Sequence, residues 1–404
     1  MDRSIPGDNS NYISQPWIDF PIRESNGIEM KKNSLPEHLT RTRFIKTAGA
    51  VIGGAAGAYV LYELAPWLNG SAPAAKVRMP LQVRAKGDPL MRELIRFATL
   101  AASGHNAQPW IFSVANHVIQ IQPDRSRRLP AVDPHDRELW ISLGCALENL
   151  CIAARKVGLD PEITYPKASD VITVSLIPRK PEEGKLFSSI PFRQNTRFEY
   201  DGSRVGAADM RHLLSTPLEE GISLRAFESH SDIEKVLEFV SVGNLSQFED
   251  KPFLDELTRW IRFDKREALA SMDGLYSGCM GSLQVPRWIG QKVLGNMAPN
   301  QQVDMDATKL RSSSGALAIA STSEDKASWV RTGQVYERLA LKMTSMNIKS
   351  AFLNQPNEVP EVRGHFRSAF GFGKTLPQLL LRFGYADAMP SSYRRSVDDV
   401  ILWP

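Results

Sequence analysis

The sequence predicts an α+β protein made of two fused halves, with mixed or antiparallel sheets around long central helices. Three observations support this prediction. A helix leads through a short turn into a strand–turn–strand pattern, apolar strands recur in both parts of the chain, and two long helical segments repeat one another. With 404 residues, of which 42% are hydrophobic and 23% charged, the chain can bury a sizeable core.

Composition argues against two classes of partner. The net charge is only +4, and the basic residues are scattered, so no nucleic-acid partner is predicted. The three cysteines form no CxxC pair, which argues against a disulfide framework or a thiolate zinc site. The seven histidines are dispersed and form no HExxH motif, so no metal site is predicted.

The N-terminal region has the composition of an extension followed by a targeting segment. Residues 1–40 are polar and predict a disordered extension. Residues 41–74 show a basic flank, an uncharged run and a small-residue site at Ser71-Ala-Pro-Ala74, which is the order of an export signal. The flank resembles a twin-arginine signal, but Thr42 replaces the second arginine.

The expected location is therefore exported, periplasmic or anchored to the membrane and facing the periplasm. An uncleaved anchor and a buried core helix remain alternatives for residues 41–74, and the protein is cytoplasmic if this segment is not a signal. Residues 75–87 are interpreted as a linker to the folded body.

Residues 88–202 are predicted to form the first half. Its expected elements are a helix from about Asp88 to Leu100, strands Ile111–Ala115 and Val118–Gln122 joined by a turn at Asn116-His117, a long helix from about Asp133 to Val157, and a strand Val171–Ile177.

Residues 203–404 are predicted to form the second half. Its expected elements are strand Leu224–Phe227, an amphipathic helix Phe248–Ala270, strand Gly315–Ala320, a long helix Lys326–Met346, a shorter helix Glu358–Phe370 and strand Leu376–Tyr385. Residues 271–300 are interpreted as an excursion, either a mobile and partly apolar cover or a packed but irregular segment.

The two long helices carry an internal repeat. The segment Gly144–Leu150 precedes Gly333–Leu339 by 189 positions, and Gly, Glu and Leu coincide without a gap. Duplicated halves would pack as an internal pseudo-dimer with a crevice between them. We therefore expect a single chain to contain both halves, as a monomeric pseudo-dimer.

The turn between the first helix and the first strand is the strongest candidate for a binding site. It reads Ala-Ala-Ser-Gly-His-Asn-Ala-Gln-Pro-Trp over residues 101–110. Ser103, Asn106 and Gln108 can present donors and acceptors to a planar polar ligand, and Gly104 and Asn106 tolerate unusual backbone angles. A plain helix-to-strand connection is the alternative.

Several of these segments resemble FMN-dependent nitroreductases. The turn is similar to their Ala-Pro-Ser-x-x-Asn-x-Gln-Pro-Trp motif, with Ala102 in place of the proline, and Gly144–Ala154 is similar to their central dimer helix. Strand Gln378–Tyr385 and Arg394-Arg395 resemble the closing strand and the C-terminal basic residue. Within that superfamily, residues 88–402 look like the Acg-like group, in which two halves are fused. Two segments match that group: Arg193–Arg197, with Asn195 and Thr196 in swapped order, and Gln355–Pro360.

The resemblance implies a site for FMN. Arg193, Arg197 and Arg394 or Arg395 would bind its phosphate, since guanidinium groups suit phosphate oxygens. Ser103, Asn106 and Gln108 would serve the ring edge and the ribityl chain, and Asn195 would join them from the Arg193–Arg197 segment. Surface ion pairs are the alternative reading of the arginines.

The resemblance also implies a chemistry. The flavin would carry two electrons from NAD(P)H to a small acceptor of the nitro or quinone type, so no side chain is assigned a catalytic role. No Arg-Arg-Ser phosphate motif precedes Asp88, which favours one flavin site per chain. Two alternatives stay open: a flavin-sequestering or redox-sensing protein, and an exported binding module without flavin. Membrane contact is expected only through residues 41–74, if these are not cleaved.

Overall fold

Two β-sheets and a central pair of long helices organise the structure, a computed structural model that describes residues 76–81, 87–167 and 169–402. The extension and signal predicted for residues 1–74 lie outside the described residues. In the described part of the chain, the strands are β1 (Trp110–Ala115), β2 (Val118–Pro123), β3 (Leu159–Thr164), β4 (Ile172–Pro178), β5 (Ile222–Phe227), β6 (Ile261–Arg262), β7 (Leu275–Tyr276), β8 (Gly315–Ser321), β9 (Lys349–Phe352), β10 (Leu376–Gly384) and β11 (Ile401–Leu402).

Helices pack against strands of both larger sheets. In the same described residues they are α1 (Asp88–Ala98), α2 (Arg137–Lys156), α3 (Ala207–Leu214), α4 (His230–Glu249), α5 (Lys251–Trp260), α6 (Lys265–Ser271), α7 (Ser277–Met280), α8 (Arg287–Gly295), α9 (Pro299–Arg311), α10 (Lys326–Ser345), α11 (Gln355–Glu358) and α12 (Pro360–Ala369).

The two larger sheets are one mixed and one antiparallel, and β6 and β7 form a third sheet of two parallel strands. The first has the order β11-β1-β2-β4-β3, and the second has the order β5-β8-β10-β9. In the first sheet only β11 runs parallel to its neighbour, with Ile401 opposite Phe112. The C-terminal strand therefore completes the sheet of the first half. The predicted α+β class with mixed and antiparallel sheets is confirmed.

The central helices pack directly on each other. Helix α2 lies against the first sheet, α10 lies against the second, and the two helices make the most extensive contact in the fold. A Cβ on Gly144 would lie 2.0 Å from the carbonyl oxygen of Val330, and one on Gly333 would lie 2.0 Å from that of Ile141. Only glycine permits this approach of two backbones. The matched glycines of the repeat thus mark the centre of the internal pseudo-dimer.

One core spans both halves. A single cluster of buried apolar side chains joins Trp110 and Phe112 of β1 to Leu147 of α2, Tyr336 of α10 and Leu381 of β10. The two cysteines predicted to act as small buried hydrophobes, Cys145 and Cys151, are buried in this cluster.

Two of the predicted helices are wrong in extent. The predicted helix Phe248–Ala270 is interrupted, because Asp250 accepts a hydrogen bond from the N–H of Phe253 and begins α5, and Asp264 accepts one from Glu267 and begins α6. The predicted helix Glu358–Phe370 begins instead at Pro360, since a residue before proline is disfavoured in helical conformation.

The excursion over residues 271–300 is buried over residues 273–277 and mostly exposed from residue 281 onward. It contains β7, α7 and α8, and β7 pairs in parallel with β6. Within the described residues, no helix is long and apolar enough to cross a membrane.

Candidate cofactor site

The turn after α1 has an unusual backbone. His105, Asn106 and Gln108 have φ angles of 49°, 53° and 54°, which are uncommon for residues other than glycine. The expectation for Asn106 is confirmed, whereas Gly104 does not adopt a positive φ. Three such residues in four positions require surrounding structure to hold them.

Both central helices support this turn. The N–H of Gly104 donates to Ser142 Oγ of α2 at 3.3 Å, and the N–H of Ala102 donates to Glu337 Oε2 of α10 at 3.3 Å. The turn therefore lies where the two halves meet, as the predicted crevice requires.

Asn106 joins the turn to two distant segments. Its Oδ1 accepts a hydrogen bond from Arg394 Nη1 at 2.7 Å. Its Nδ2 donates to the carbonyl oxygens of Gly274 and Tyr393 at 3.1 and 3.3 Å. The turn, the excursion and the C-terminal segment thus share one hydrogen-bonded junction.

Beside this junction lies a cavity of about 50 Å³, which has room for a few water molecules. Six of the eight predicted site residues line it: Ser103, Asn106, Arg193, Asn195, Arg197 and Arg394. The other lining residues are Ala102, Gln194, Gly274, Leu275, Tyr276, Cys279, Pro390 and Ser392.

Gln108 and Arg395 lie outside the cavity lining. Gln108 is fully buried, and its Nε2 donates to the carbonyl of Met272 at 2.9 Å while its Oε1 accepts from the N–H of Arg395 at 2.9 Å. The Arg395 side chain extends to the carbonyl of Asp399 and toward Asp124. Of the two candidate C-terminal arginines, Arg394 is the one that faces the cavity.

Four arginines converge on the cavity. Arg193 and Arg394 are each 3% exposed, and Arg197 is half-buried. Arg78 adds a fourth guanidinium at the edge, donating to the carbonyl of Pro191 at 2.7 Å and to that of Ser392 at 3.3 Å. Among the residues that the structure describes, these arginines form one ion pair, between Arg193 Nε and Glu337 Oε1 at 2.9 Å.

The positive charge here is largely uncompensated. Burial, together with neighbouring Arg78 and Arg193, lowers the pKa of Arg394 well below its usual range. Burial and then Arg193 lower the pKa of Arg78 to about 10. The Nε atoms of Arg78 and Arg394 have no hydrogen-bond partner within the described residues. Such a cluster favours an anionic ligand.

The neighbouring titratable groups do not supply the missing negative charge. Burial raises the pKa of the Cys279 thiol to about 11, despite Arg197 and Arg394 nearby. Burial and then Arg197 lower the pKa of His105 to about 4. Both side chains are therefore neutral at neutral pH.

Asn195 is oriented by the second half. Its Oδ1 accepts from the Tyr336 hydroxyl at 3.1 Å, and its backbone bridges to Ser350. Tyr336 lies on α10, next to Glu337, so one turn of the helix orients both Asn195 and Arg193.

Two residues at the site, Arg78 and Glu337, were not predicted from the sequence. Arg78 lies in the predicted linker, and no motif there indicates a role in the site. Glu337 did carry a signal, because it is the glutamate of the repeated segment and corresponds to Glu148. Glu148 pairs with Arg338 at 2.8 Å, so both repeat glutamates bind arginine.

Two curated proteins are similar to this chain over most of its length. No family model matches the chain. A Mycobacterium tuberculosis protein named "Putative NAD(P)H nitroreductase Rv3131" is 25% identical over 350 residues, covering 83% of this chain and 96% of the relative. A second protein of that organism, with the same designation and the suffix acg, is 22% identical over 326 residues, covering 77% and 95%.

Two solved structures were also found. The FMN-dependent nitroreductase NfnB from Mycobacterium smegmatis in complex with NADPH has a TM-score of 0.34 at 13% identity, covering 54% of this chain and 91% of its own. NfnB from a Sphingopyxis strain has a TM-score of 0.38 at 14% identity, covering 54% and 98%.

The chain is thus similar, over 77–83% of its length, to curated proteins named as putative NAD(P)H nitroreductases.

Proposed function

We propose that the protein is an FMN-dependent NAD(P)H oxidoreductase that reduces a small acceptor of the nitro or quinone type. The observation that carries the proposal is the cavity at the junction of the halves, which three guanidinium groups line and beside which Arg78 donates to the carbonyl of Ser392. Of these four arginines, Arg193 is paired with a carboxylate within the described residues, that of Glu337. The names of the curated relatives, which specify NAD(P)H nitroreductases, support the same assignment.

The residues present fit an FMN phosphate. Arg394, Arg197 and Arg78 are cations without a carboxylate partner within the described residues, and two of them have an unpartnered Nε. A phosphate carries oxygens for such donors and would relieve the repulsion between the guanidinium groups. Ser103 and Asn195 line the same cavity and offer a hydroxyl and an amide to the remainder of the ligand.

The flavin ring needs more space than the cavity of about 50 Å³ offers. Residues 274–279 form one wall, and positive φ angles at Met272, Gly274 and Gly281 bracket that wall. Displacement of this wall would admit the ring. When bound, FMN supplies two-electron transfer between NAD(P)H and the acceptor. The chain's arginines would hold the phosphate and favour negative charge on the ligand.

The absorption spectrum of the purified full-length chain tests this function. We expect flavin bands, bleaching by NADH or NADPH without oxygen, and return of colour on adding a nitro compound or a quinone. A protein that neither carries nor takes up FMN would contradict the proposal and favour an exported binding module without flavin.

One observation favours a second candidate, a flavin-sequestering or redox-sensing protein. The excursion wall is hydrogen-bonded to the turn through Met272 and Gly274, so it could exclude acceptors from bound flavin. A yellow protein that is inert toward both NAD(P)H and acceptors would support this candidate over the enzyme.

A further inference from the structure

The excursion has an unusual charge pattern. Thirty consecutive residues, Gly274 to Val303, contain no acidic residue, and the charged side chains among them are Arg287 and Lys292. Arg287 pairs with Glu267 at 2.7 Å, whereas Lys292 is exposed. This surface therefore presents a positive charge without a negative neighbour on its own segment.

The same segment exposes large apolar side chains. Leu283, Trp288 and Val293 are 72%, 63% and 65% exposed. The opposite side of α8 is packed, since a Cβ on Gly290 would lie 2.0 Å from the Phe263 ring. One side of helix α8 therefore packs against the rest of the protein, and Trp288 and Val293 of the same helix are exposed to solvent.

This combination matches one kind of partner. Exposed tryptophan and aliphatic side chains beside lysine, without acidic residues, are typical of helices that lie in the interface of a lipid bilayer. A lysine adds electrostatic attraction to anionic headgroups. A protein partner of ordinary composition would not require thirty residues free of carboxylates.

Chain connectivity supports a membrane as that partner. The uncharged run predicted as a signal or anchor ends at Tyr62, sixteen positions before Arg78 at the cavity edge. Sixteen extended residues span at most about 58 Å. An uncleaved anchor would therefore keep the cavity edge within that distance of the bilayer.

The surface is also continuous with the cavity wall. Residues 274–279 line the cavity, and a Cβ on Gly281 would lie 2.9 Å from the half-exposed Phe198 ring, which follows Arg197. A lipid layer against residues 281–297 would consequently lie close to the cavity.

We propose that residues 281–297 dock on an anionic lipid bilayer through Leu283, Trp288, Val293 and Lys292, and that the acceptor of the proposed oxidoreductase is a lipid-soluble quinone that approaches the neighbouring site from the bilayer. The acceptor part rests on the proposed oxidoreductase function. The balanced reaction converts NAD(P)H, a proton and the quinone into NAD(P)⁺ and the hydroquinone. Membrane contact then extends beyond the N-terminal segment.

A nitroxide depth measurement tests the docking on the full-length chain. The natural cysteines are buried, so Val293→Cys can be labelled selectively, and Val242→Cys on α4, where valine is 52% exposed, is the matched control. With vesicles of phosphatidylglycerol and phosphatidylcholine, we expect the label at 293 to become shielded from a water-soluble nickel chelate and accessible to oxygen. The label at 242 should stay in water.

Labels that both stay in water, or both enter the bilayer, would overturn the docking. A label at 293 that is already shielded without vesicles would also overturn it, because another part of the chain would then cover the surface. This readout does not depend on flavin, so it separates the docking from the proposed function.

A pair of quinones tests the acceptor. The variant Leu283→Gln with Trp288→Gln should reduce a long-chain quinone in vesicles at least about tenfold more slowly, because both apolar side chains that enter the bilayer are replaced by polar ones. Reduction of a water-soluble quinone should be unchanged. An equal loss of reduction rate with both quinones in the variant would overturn the quinone assignment. It would also be overturned if NAD(P)H reduced the unchanged protein but the protein did not reduce the quinone in the vesicles.

Discussion

At the residue scale, the two adjacent C-terminal arginines differ in what they face. Arg394 is 3% exposed, lines the cavity and has an unpartnered Nε, whereas Arg395 reaches toward Asp124 and the Asp399 carbonyl. Sequence alone left the choice open, because neighbouring residues in an irregular segment carry no periodicity that assigns their direction.

The substitution Arg394→Gln should weaken FMN binding by about 10- to 100-fold, since a hydrogen bond to a charged group contributes about 1.5–3 kcal/mol. Arg395→Gln is the matched control and should leave affinity nearly unchanged. Fluorescence titration of FMN measures both, and thermal unfolding without FMN reports any loss of fold. Equal affinities for the two variants would show that the phosphate lies elsewhere.

His105 makes stability depend on pH in a defined direction. Burial and Arg197 lower its folded-state pKa from 6.5 to about 4. As pH falls, the unfolded chain therefore binds the proton at His105 before the folded chain does. The stability that the neutral His105 contributes to the folded state is fully present above pH 6.5 and is lost as pH falls toward 4. Denaturant unfolding should show a decrease on the order of 1–3 kcal/mol across that window.

The variant His105→Asn serves as the comparison, since asparagine tolerates the positive φ of 49° at this position. Its stability should change less between pH 6.5 and pH 4. An unchanged pH dependence would mean that His105 is not the group responsible.

At the element scale, the strongest prediction from sequence concerned the long helices. The helices α2 and α10 begin at Arg137 and Lys326, which differ by the same 189 positions as the repeated glycines. Long amphipathic segments are readable because apolar spacing is sustained over many turns. The short strands β3, β9 and β11 were missed, since their pairing depends on distant partners.

Gly333→Ala should destabilise the protein by at least about 3 kcal/mol, because a methyl group would overlap the Ile141 carbonyl and force the central helices apart. Gly364→Ala on the exposed side of α12, where a Cβ meets nothing within 4 Å, is the control. That change should be neutral or stabilise by up to about 1 kcal/mol. Urea unfolding of both variants gives the comparison, and a tolerated Gly333→Ala would contradict the close helix contact.

At the scale of the whole molecule, both halves contribute residues to the site. The turn at 101–110 comes from the first half, Glu337 and Tyr336 come from α10, and Arg394 comes from the C-terminal segment. The sequence indicated the turn and the Arg193–Arg197 segment through their resemblance to a family. It could not indicate Arg78 or the excursion wall, because only tertiary packing brings these to the cavity.

The position of the cavity at the junction of the halves also indicates how many FMN molecules one chain binds. The chain lacks an Arg-Arg-Ser phosphate motif before Asp88, and the arginine cluster is built from segments that are not duplicated in the repeat. We therefore expect one FMN per chain. Protein-bound flavin released by denaturation and quantified by absorbance would reveal a second site as a ratio near two.

An anaerobic reductive titration of the flavin-loaded chain tests most directly whether this arginine-lined cavity binds FMN for redox turnover. The prediction is that one equivalent of NADH or NADPH per chain bleaches the flavin fully, and that a quinone or nitro compound restores it. A chain that binds no FMN, or whose bound FMN is not bleached by either nucleotide, would contradict the claim.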